Sequence, residues 1–296
     1  MTRVTLRAFA KINWGLEILG KRPDGFHELR TVTQTVSLCD LLTVEIRGDG
    51  LRIENCGGWE APDGPENICW RAAELFQQTL GGPEGVRIRL GKRIPAGSGL
   101  GGGSSDAVAV LAALQRLTGL GSARDLEIMA AELGSDTVLF LYGGLALCTG
   151  RGERVERRSM SRGYSLVIAR PEESVSTRDA YGGLGPADFT SGKSMDTLLA
   201  ALESGAEPGE LAPLLVNGFS RSVGAHCQAI PRLRDCMVGL GVRGALMTGS
   251  GSAVYGLADD DAHADSLAES LRKQGYWAVA ARTVPAGYEF MEGPHV

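Results

Sequence analysis

The segment Pro95-Ala96-Gly97-Ser98-Gly99-Leu100-Gly101-Gly102-Gly103-Ser104-Ser105-Asp106 carries five glycines in twelve residues and runs directly into a stretch with helical apolar spacing. Glycine lets a backbone come close to an anion, successive N–H groups converge as a nest, and a helix start adds partial positive charge. That combination describes a phosphate cradle. Ser104 and Ser105 have hydroxyls for phosphate oxygens or for the water shell of Mg2+. Asp106 has two readings, a carboxylate that stabilises the first helical turn or one that meets the metal. A plain flexible linker would not need so many glycines between a strand and an amphipathic helix.

Two other phosphate-binding patterns fit less well. Gly97-x-Gly99-x-x-Gly102 satisfies the dinucleotide fingerprint, but the acid that follows, Asp125, opens a helix instead of closing a second strand where it would meet a ribose. A Walker loop requires a lysine after its spacer, and Gly103-Ser104-Ser105 supplies none.

The elements that must position this loop follow from periodicity. Val4 to Ala10 and Ile12 to Ile18 alternate as strands, the turn chemistry of Lys21 to Glu28 follows, and Thr31 to Val36, Leu41 to Ile46 and Leu51 to Glu54 are further β-branched runs. Asn67 to Thr79 has helical spacing, and Val86 to Leu90 alternates as the strand that feeds the loop. After the loop, Ala107, Val110, Leu111, Leu114 and Leu117 define a helix ending at Gly119. Ser122 to Asp125 forms a capping-box pattern for a helix through Leu133 that stops at Gly134. Thr137 to Tyr142 reads as a strand from its pattern alone.

The polar, arginine-rich stretch from Gly150 to Gly163 is taken as the boundary between two domains, residues 1–157 and 158–296. Beyond it come a strand at Ser165 to Ala169, a helix at Ser194 to Glu203 and helical segments across Gly209 to Leu240. Two strands then flank Thr248-Gly249-Ser250-Gly251, followed by a helix from Ala262 to Gln274 and a strand from Tyr276 to Val284. The alternation suggests an α+β sandwich with helices on one face of a sheet.

Composition narrows the function classes. The chain has 296 residues, long enough for more than one core, with 43% hydrophobic and 22% charged residues, which excludes disorder. A formal net charge of −5 lacks the basic excess of a protein that tracks nucleic acid or an anionic membrane, so any anion must be held locally. The six cysteines are scattered without a CxxC pair or zinc-ligand spacing and read as buried thiols of a reducing cytoplasm. The longest nearly apolar run, Val138 to Cys148, falls short of the ~20 residues a spanning helix needs. No nucleic-acid or membrane partner is expected, and the chain is expected to act as a monomer or homodimer.

The glycine loop resembles the signature of the galacto-, homoserine-, mevalonate- and phosphomevalonate-kinase superfamily. Four further stretches, AKINWGLEILGKRPDGFHEL, LGSDTVLFL, GGLALCTGRGE and MTGSGSAVYGL, are similar to the branch of that superfamily whose substrate is a methylerythritol carrying a cytidine diphosphate. The resemblance spans nearly the whole chain and implies a two-domain α+β small-molecule kinase. Its N-terminal ATP-binding α/β domain would carry the glycine loop, and its C-terminal domain would be ferredoxin-like α+β. ATP is then the co-substrate, with Mg2+ carried on it, and the phosphoryl group goes to a tertiary hydroxyl.

The resemblance also assigns roles. Lys11 and Asp136 are the implied catalytic pair, although by residue type alone the first would be a solvated strand residue and the second a helix cap. Phe26 and Tyr181 match the aromatic pair that sandwiches cytosine, and His27 the residue that bonds its edge. Asn67, Ile68 and Lys92 match the adenine pocket, while Asn13, Thr177, Thr248, Gly249, Ser250 and Gly251 fall on the substrate side. Val138 stands where the family usually has proline, and the family places a short helix there. Asn217-Gly218-Phe219-Ser220 replaces an Asn-Asp-x-Glu stretch. A kinase for another small alcohol, such as mevalonate or homoserine, and a non-catalytic ATP-binding sensor are the alternatives; the presence of both Lys11 and Asp136 argues against the sensor.

Overall fold

The computed structural model describes residues 2–291. Strands β1 (Arg3–Lys21) and β2 (His27–Ile46) form one long antiparallel hairpin, joined by β3 (Leu51–Gly58) and, after α1 (Ile68–Leu80), by β4 (Val86–Lys92). The pairs of short strands expected here are therefore continuous. Register shifts at Phe9/Ala10, Asn13/Gly15 and Ile18/Gly20 bend the hairpin without ending it, which is how alternation can break while pairing persists.

Helices α2 (Gly102–Thr118), α3 (Ala123–Leu133) and α4 (Thr137–Tyr142) follow, then β5 (Leu145–Gly150) and β6 (Arg154–Arg158). One expectation fails here. Thr137–Tyr142 is a helical turn and a half, as the family resemblance implied, because a six-residue apolar run packed on α2 and α3 does not report its own period. The arginine-rich stretch also contributes a strand: β5 pairs with both β2 and β6, and β6 is an edge strand whose polar side chains face outward.

The second half holds β7 (Ser165–Arg170), α5 (Thr177–Gly182), α6 (Ser194–Ser204), α7 (Pro208–Leu211), α8 (Ser220–His226), α9 (Ala229–Gly239), β8 (Ala245–Met247), β9 (Val254–Leu257), α10 (Asp261–Lys273) and β10 (Trp277–Arg282). Its four-stranded sheet runs β10-β7-β9-β8 with antiparallel neighbours, the strand order of a ferredoxin-like unit. The last strand, β11 (Tyr288–Phe290), returns to pair with β1 and completes the edge of the first sheet.

Two apolar cores explain how these layers meet. One fills the space between the first sheet and α1–α3, with Phe76, Ile88, Val110 and Leu114 fully buried. The other is shared by the two sheets: Ile12, Trp14 and Val32 from the hairpin pack with Leu198, Tyr164 and Tyr255. Trp14 meets the Tyr164 and Tyr255 rings edge-on at 5.4 and 5.7 Å. Burial of aromatics on both sides thus fixes β1 against the second sheet, and that junction forms the wall of the cleft.

Candidate active site

The glycine loop is built as the chain chemistry requires. Gly101 is the N-cap of α2 at φ +72°, so Gly102, Gly103 and Ser104 form the first helical turn and their N–H groups have no intrahelical partner. Gly99 lies at φ +78° with its backbone against Thr248, where a Cβ would stand 2.2 Å from the carbonyl oxygen. Pro95 to Gly99 and Gly101 to Ser104 line a cleft of about 940 Å3 between the two layers. Leu100 and Ser105 do not. Leu100 is fully buried in the shared core while its carbonyl accepts from the Lys11 N–H at 2.9 Å. Ser105 is fully buried and its hydroxyl faces the Gly287 carbonyl at 3.5 Å, so the expected hydroxyl contact with phosphate is left to Ser104.

Asp106 does not stand in the first helical turn, and its partner is a lysine. It lies in the second turn of α2, buried, with Oδ2 accepting from Lys92 Nζ at 2.7 Å, and Lys92 also bonds Asp40. Asp40 in turn accepts from the Ile94 N–H at 2.8 Å and from the Arg93 N–H, which fixes the exit of β4 into the loop. Burial pushes the Asp106 carboxyl well above the ordinary range; Lys92 pulls it down and Asp40 adds to the rise. Burial alone would lower the Lys92 ammonium, but Asp106 and Asp40 outweigh it. Asp40 was missed from sequence, although a lone acid between apolar residues of a strand is itself a sign of a buried pair.

Asn67 caps α1, its side-chain oxygen accepting from the Cys69 N–H at 2.9 Å and its amide donating to Pro62 O at 2.8 Å. With Ile68 and Lys92 it lines the end of the cleft beside the glycine loop.

Lys11 is a bulge-flanked residue of β1 whose ammonium, almost fully buried, donates to Asn13 Oδ1 at 2.7 Å and stands 3.7 Å from Asp136 Oδ2. Asp136 is the N-cap residue of α4, yet its side chain makes no capping bond and remains half exposed in the cleft. Thr137 does the tying instead, its hydroxyl donating to carbonyls at the end of α3. Asn13 is held on every side: its amide donates to Thr31 Oγ1 at 2.8 Å, and its N–H donates to Thr248 Oγ1 at 3.0 Å. Thr248 is buried outside the cleft lining and acts on the site through Asn13 and the glycine loop.

Asn217 carries the glycine-rich loop at 248–251. Its amide donates to the carbonyls of Met247 and Gly249 at 2.7 and 2.9 Å, and its oxygen accepts from the Phe219 N–H. The departure from Asn-Asp-x-Glu therefore spares the one residue that supports the loop. Gly249, Ser250 and Gly251 line the cleft, and Ser250 is hydrogen-bonded to Thr177 at 3.2 Å.

At the other end of the cleft the β1–β2 turn presents Phe26, and β2 opens with His27. The turn is closed by the Arg22 N–H to Phe26 carbonyl bond of 2.7 Å and by Asp24, which accepts from the Phe26 N–H. Phe26 is 51% exposed, with the Arg151 guanidinium 4.8 Å from its ring centre. Tyr181, from α5, packs edge-on against Phe219 at 4.8 Å and lies 5.2 Å from the His27 ring. Burial, then the Lys21 charge, lowers the His27 pKa. At neutral pH its imidazole has one donor and one acceptor nitrogen. Burial raises the Tyr181 phenol far up, and the Asp136 charge adds to it. Arg151 and Gly152 also border this region, residues to which the sequence reading gave no role.

Residues 67–144 match the family described as GHMP kinases N terminal domain, and residues 195–276 match GHMP kinases C terminal. A 4-diphosphocytidyl-2-C-methyl-D-erythritol kinase of Gloeobacter violaceus is 41% identical over 293 residues, covering 97% of this chain and 96% of that protein. One of Geobacter metallireducens is 36% identical over 283 residues, 95% of this chain and 98% of the relative. A crystal structure of 4-(cytidine 5'-diphospho)-2C-methyl-D-erythritol kinase superposes with a TM-score of 0.82 at 39% identity, covering 94% and 98% of the two chains. A homoserine kinase from Cytophaga hutchinsonii shares the fold, with a TM-score of 0.76 at 18% identity over 98% of each chain. With a GHMP fold and relatives of this identity along nearly its whole length, the chain belongs to the 4-diphosphocytidyl-2-C-methyl-D-erythritol kinase family.

Proposed function

We propose that the protein uses ATP to phosphorylate the 2-position tertiary hydroxyl of 4-diphosphocytidyl-2-C-methyl-D-erythritol, in the non-mevalonate route to isoprenoid precursors. The observation that carries this reading is a single cleft with a glycine-rich helix start at one end, Phe26, His27 and Tyr181 at the other, and Lys11 beside Asp136 between them. In this reading the backbone N–H groups of Gly102, Gly103 and Ser104 hold the triphosphate, and Asn67, Ile68 and Lys92 border the adenine. Among the described residues no cluster of three His, Cys, Asp or Glu side chains is gathered as a metal cage. Mg2+ would be carried on the triphosphate, where the Ser104 hydroxyl could meet it or its water shell, and it would supply charge neutralisation of the phosphates.

The residues of the chain do the rest. Asp136 accepts the proton of the acceptor hydroxyl as the new oxygen–phosphorus bond to the γ-phosphorus forms and the bond to the β,γ-bridging oxygen breaks, releasing ADP. The transition state is loose, so positioning and charge stabilisation supply most of the rate. Lys11, oriented by Asn13, stands beside Asp136 and offsets charge developing on the transferred group. The neutral His27 offers a donor and an acceptor to the edge of cytosine, whose faces Phe26 and Tyr181 cover.

ATP consumption with the cytidyl substrate, mevalonate and homoserine in parallel tests the reading. Turnover confined to the cytidyl substrate is expected. Preferential turnover of either small alcohol, or none with any acceptor, overturns it.

A further inference from the structure

The sequence GRGE forms the turn between β5 and β6, and its construction is more exacting than a strand connection needs. Gly150 sits at φ +76°, and a Cβ there would stand 2.7 Å from the Glu153 carboxylate. That carboxylate accepts from the Arg151 N–H at 2.6 Å, and Gly152 N–H closes the turn on Thr149 O at 3.1 Å. Gly152, at φ +116°, brings its backbone so close to the site that a Cβ would lie 3.2 Å from Asp136 Oδ1. Pairing of Gly150 with Leu29 sets the turn beside the start of β2, where His27 lies.

This turn delivers one long cation. Arg151 lines the cleft and its guanidinium lies over the Phe26 ring; Asp24 is near enough for its charge to be felt, but that carboxylate is paired with Arg22. The carboxylate of its own turn, Glu153, is committed to the backbone. Arg151 thus stands between Phe26, at the base end of the cleft, and Asp136, which touches the next residue in the chain. In the substrate of the proposed function the diphosphate occupies the same place in the covalent order, between the cytidine and the alcohol that reacts. An anion of that charge, taken into a cleft, requires a cation with several directed donors, which a guanidinium supplies.

We propose that Arg151 binds the diphosphate group of the nucleotide-bearing substrate, with the GRGE turn acting as the arm that sets it beside Asp136. The inference rests on the functional reading above. It assigns Arg151 a binding role, so the loss on removing it falls on ligands that carry the diphosphate and not on the nucleoside.

The test compares cytidine and CDP as inhibitors against the cytidyl substrate in the wild type, Arg151→Ala and Arg151→Lys, with the KM for ATP measured throughout. The expected result is that Arg151→Ala weakens CDP by about ten- to hundredfold, the range for losing hydrogen bonds to a charged group. Cytidine and ATP should change little, and Arg151→Lys should recover part of the loss. Equal weakening of cytidine and CDP would show that Arg151 serves only as a plate on Phe26 and overturns the proposal, as would unchanged inhibition by both. If the wild type binds neither cytidine nor CDP, the functional reading itself falls, and the inference with it. Arg151 is partly exposed on a turn, and an unchanged KM for ATP reports that each variant is folded.

Discussion

Lys11 Nζ donates to Asn13 Oδ1 at 2.7 Å and stands 3.7 Å from Asp136 Oδ2, so the ammonium is aimed by one neighbour and charge-paired with another. A lysine held this way cannot swing to solvent without taking a charged donor away from the buried Asn13 Oδ1. Asp136→Asn and Lys11→Ala are each expected to lower kcat by roughly 10²–10⁴-fold, as for loss of a positioned proton acceptor or charge. Single-turnover rates with saturating ATP and substrate check this, and near-wild-type turnover in Asp136→Asn would remove it from the mechanism.

Tyr181 is braced edge-on by Phe219 and lies beside His27, so its ring is a fixed surface for a base. Tyr181→Ala is expected to cost about 1–3 kcal/mol of substrate binding, the range for base stacking on an aromatic. That corresponds to roughly a five- to hundredfold rise in substrate KM with the KM for ATP unchanged. His27→Ala should narrow the preference for cytosine over other bases in the substrate. Equal discrimination before and after that change would show that His27 does not read the base.

The glycine loop touches the loop at 248–251 through Gly99 and Thr248, backbone against backbone. A methyl group at Gly99 meets the Thr248 carbonyl, and the residue's φ of +78° is costly for any side chain, so neither strand of the contact can yield cheaply. Gly99→Ala is expected to raise the KM for ATP at least tenfold, by an amount set by how far the loop shifts. Isothermal titration with a non-hydrolysable ATP analogue checks it, and unchanged affinity would show that the loop conformation is not what holds the triphosphate.

The Asp106 carboxyl is pushed up by burial among Lys92 and Asp40, with Cys69 as its other titratable neighbour. The folded state therefore keeps that proton more firmly than the unfolded chain does. The stability it contributes is complete below the unfolded carboxyl range and is lost as pH rises through the folded pKa. Asp106→Asn removes this titration, so its melting temperature should fall less than that of the wild type as pH is raised. Differential scanning calorimetry across that interval decides it, and parallel curves for the two proteins would sink the assignment.

Much of this molecule is written in short-range pattern. The capping box at Ser122 and Asp125 forms as its spacing requires, Asn67 caps α1, and the strand-helix alternation of the second half becomes the β10-β7-β9-β8 sheet. These features depend on neighbours within a turn or on which face is apolar, and both are local properties of the chain. The glycine loop belongs with them, since φ above zero and a free helix start need only glycine and the helix that follows.

What the tertiary structure decided is where a residue's partners come from. Ser104 and Ser105 are alike in sequence, yet α2 turns one toward the cleft and buries the other against Gly287. Asp106 became a buried hydrogen-bond partner of Lys92 because β2 and β4 bring Asp40 and Lys92 beneath the helix. Asp136 was freed from capping because Thr137 ties α4 to α3. The arginine-rich edge strand β6 stayed illegible because none of its residues is fully buried, so neither face has an apolar period to declare. Side-chain chemistry is fixed by the letter at each position, but its electrostatic setting is fixed by residues far away in the chain. Only packing brings those residues within the few ångströms over which such interactions act.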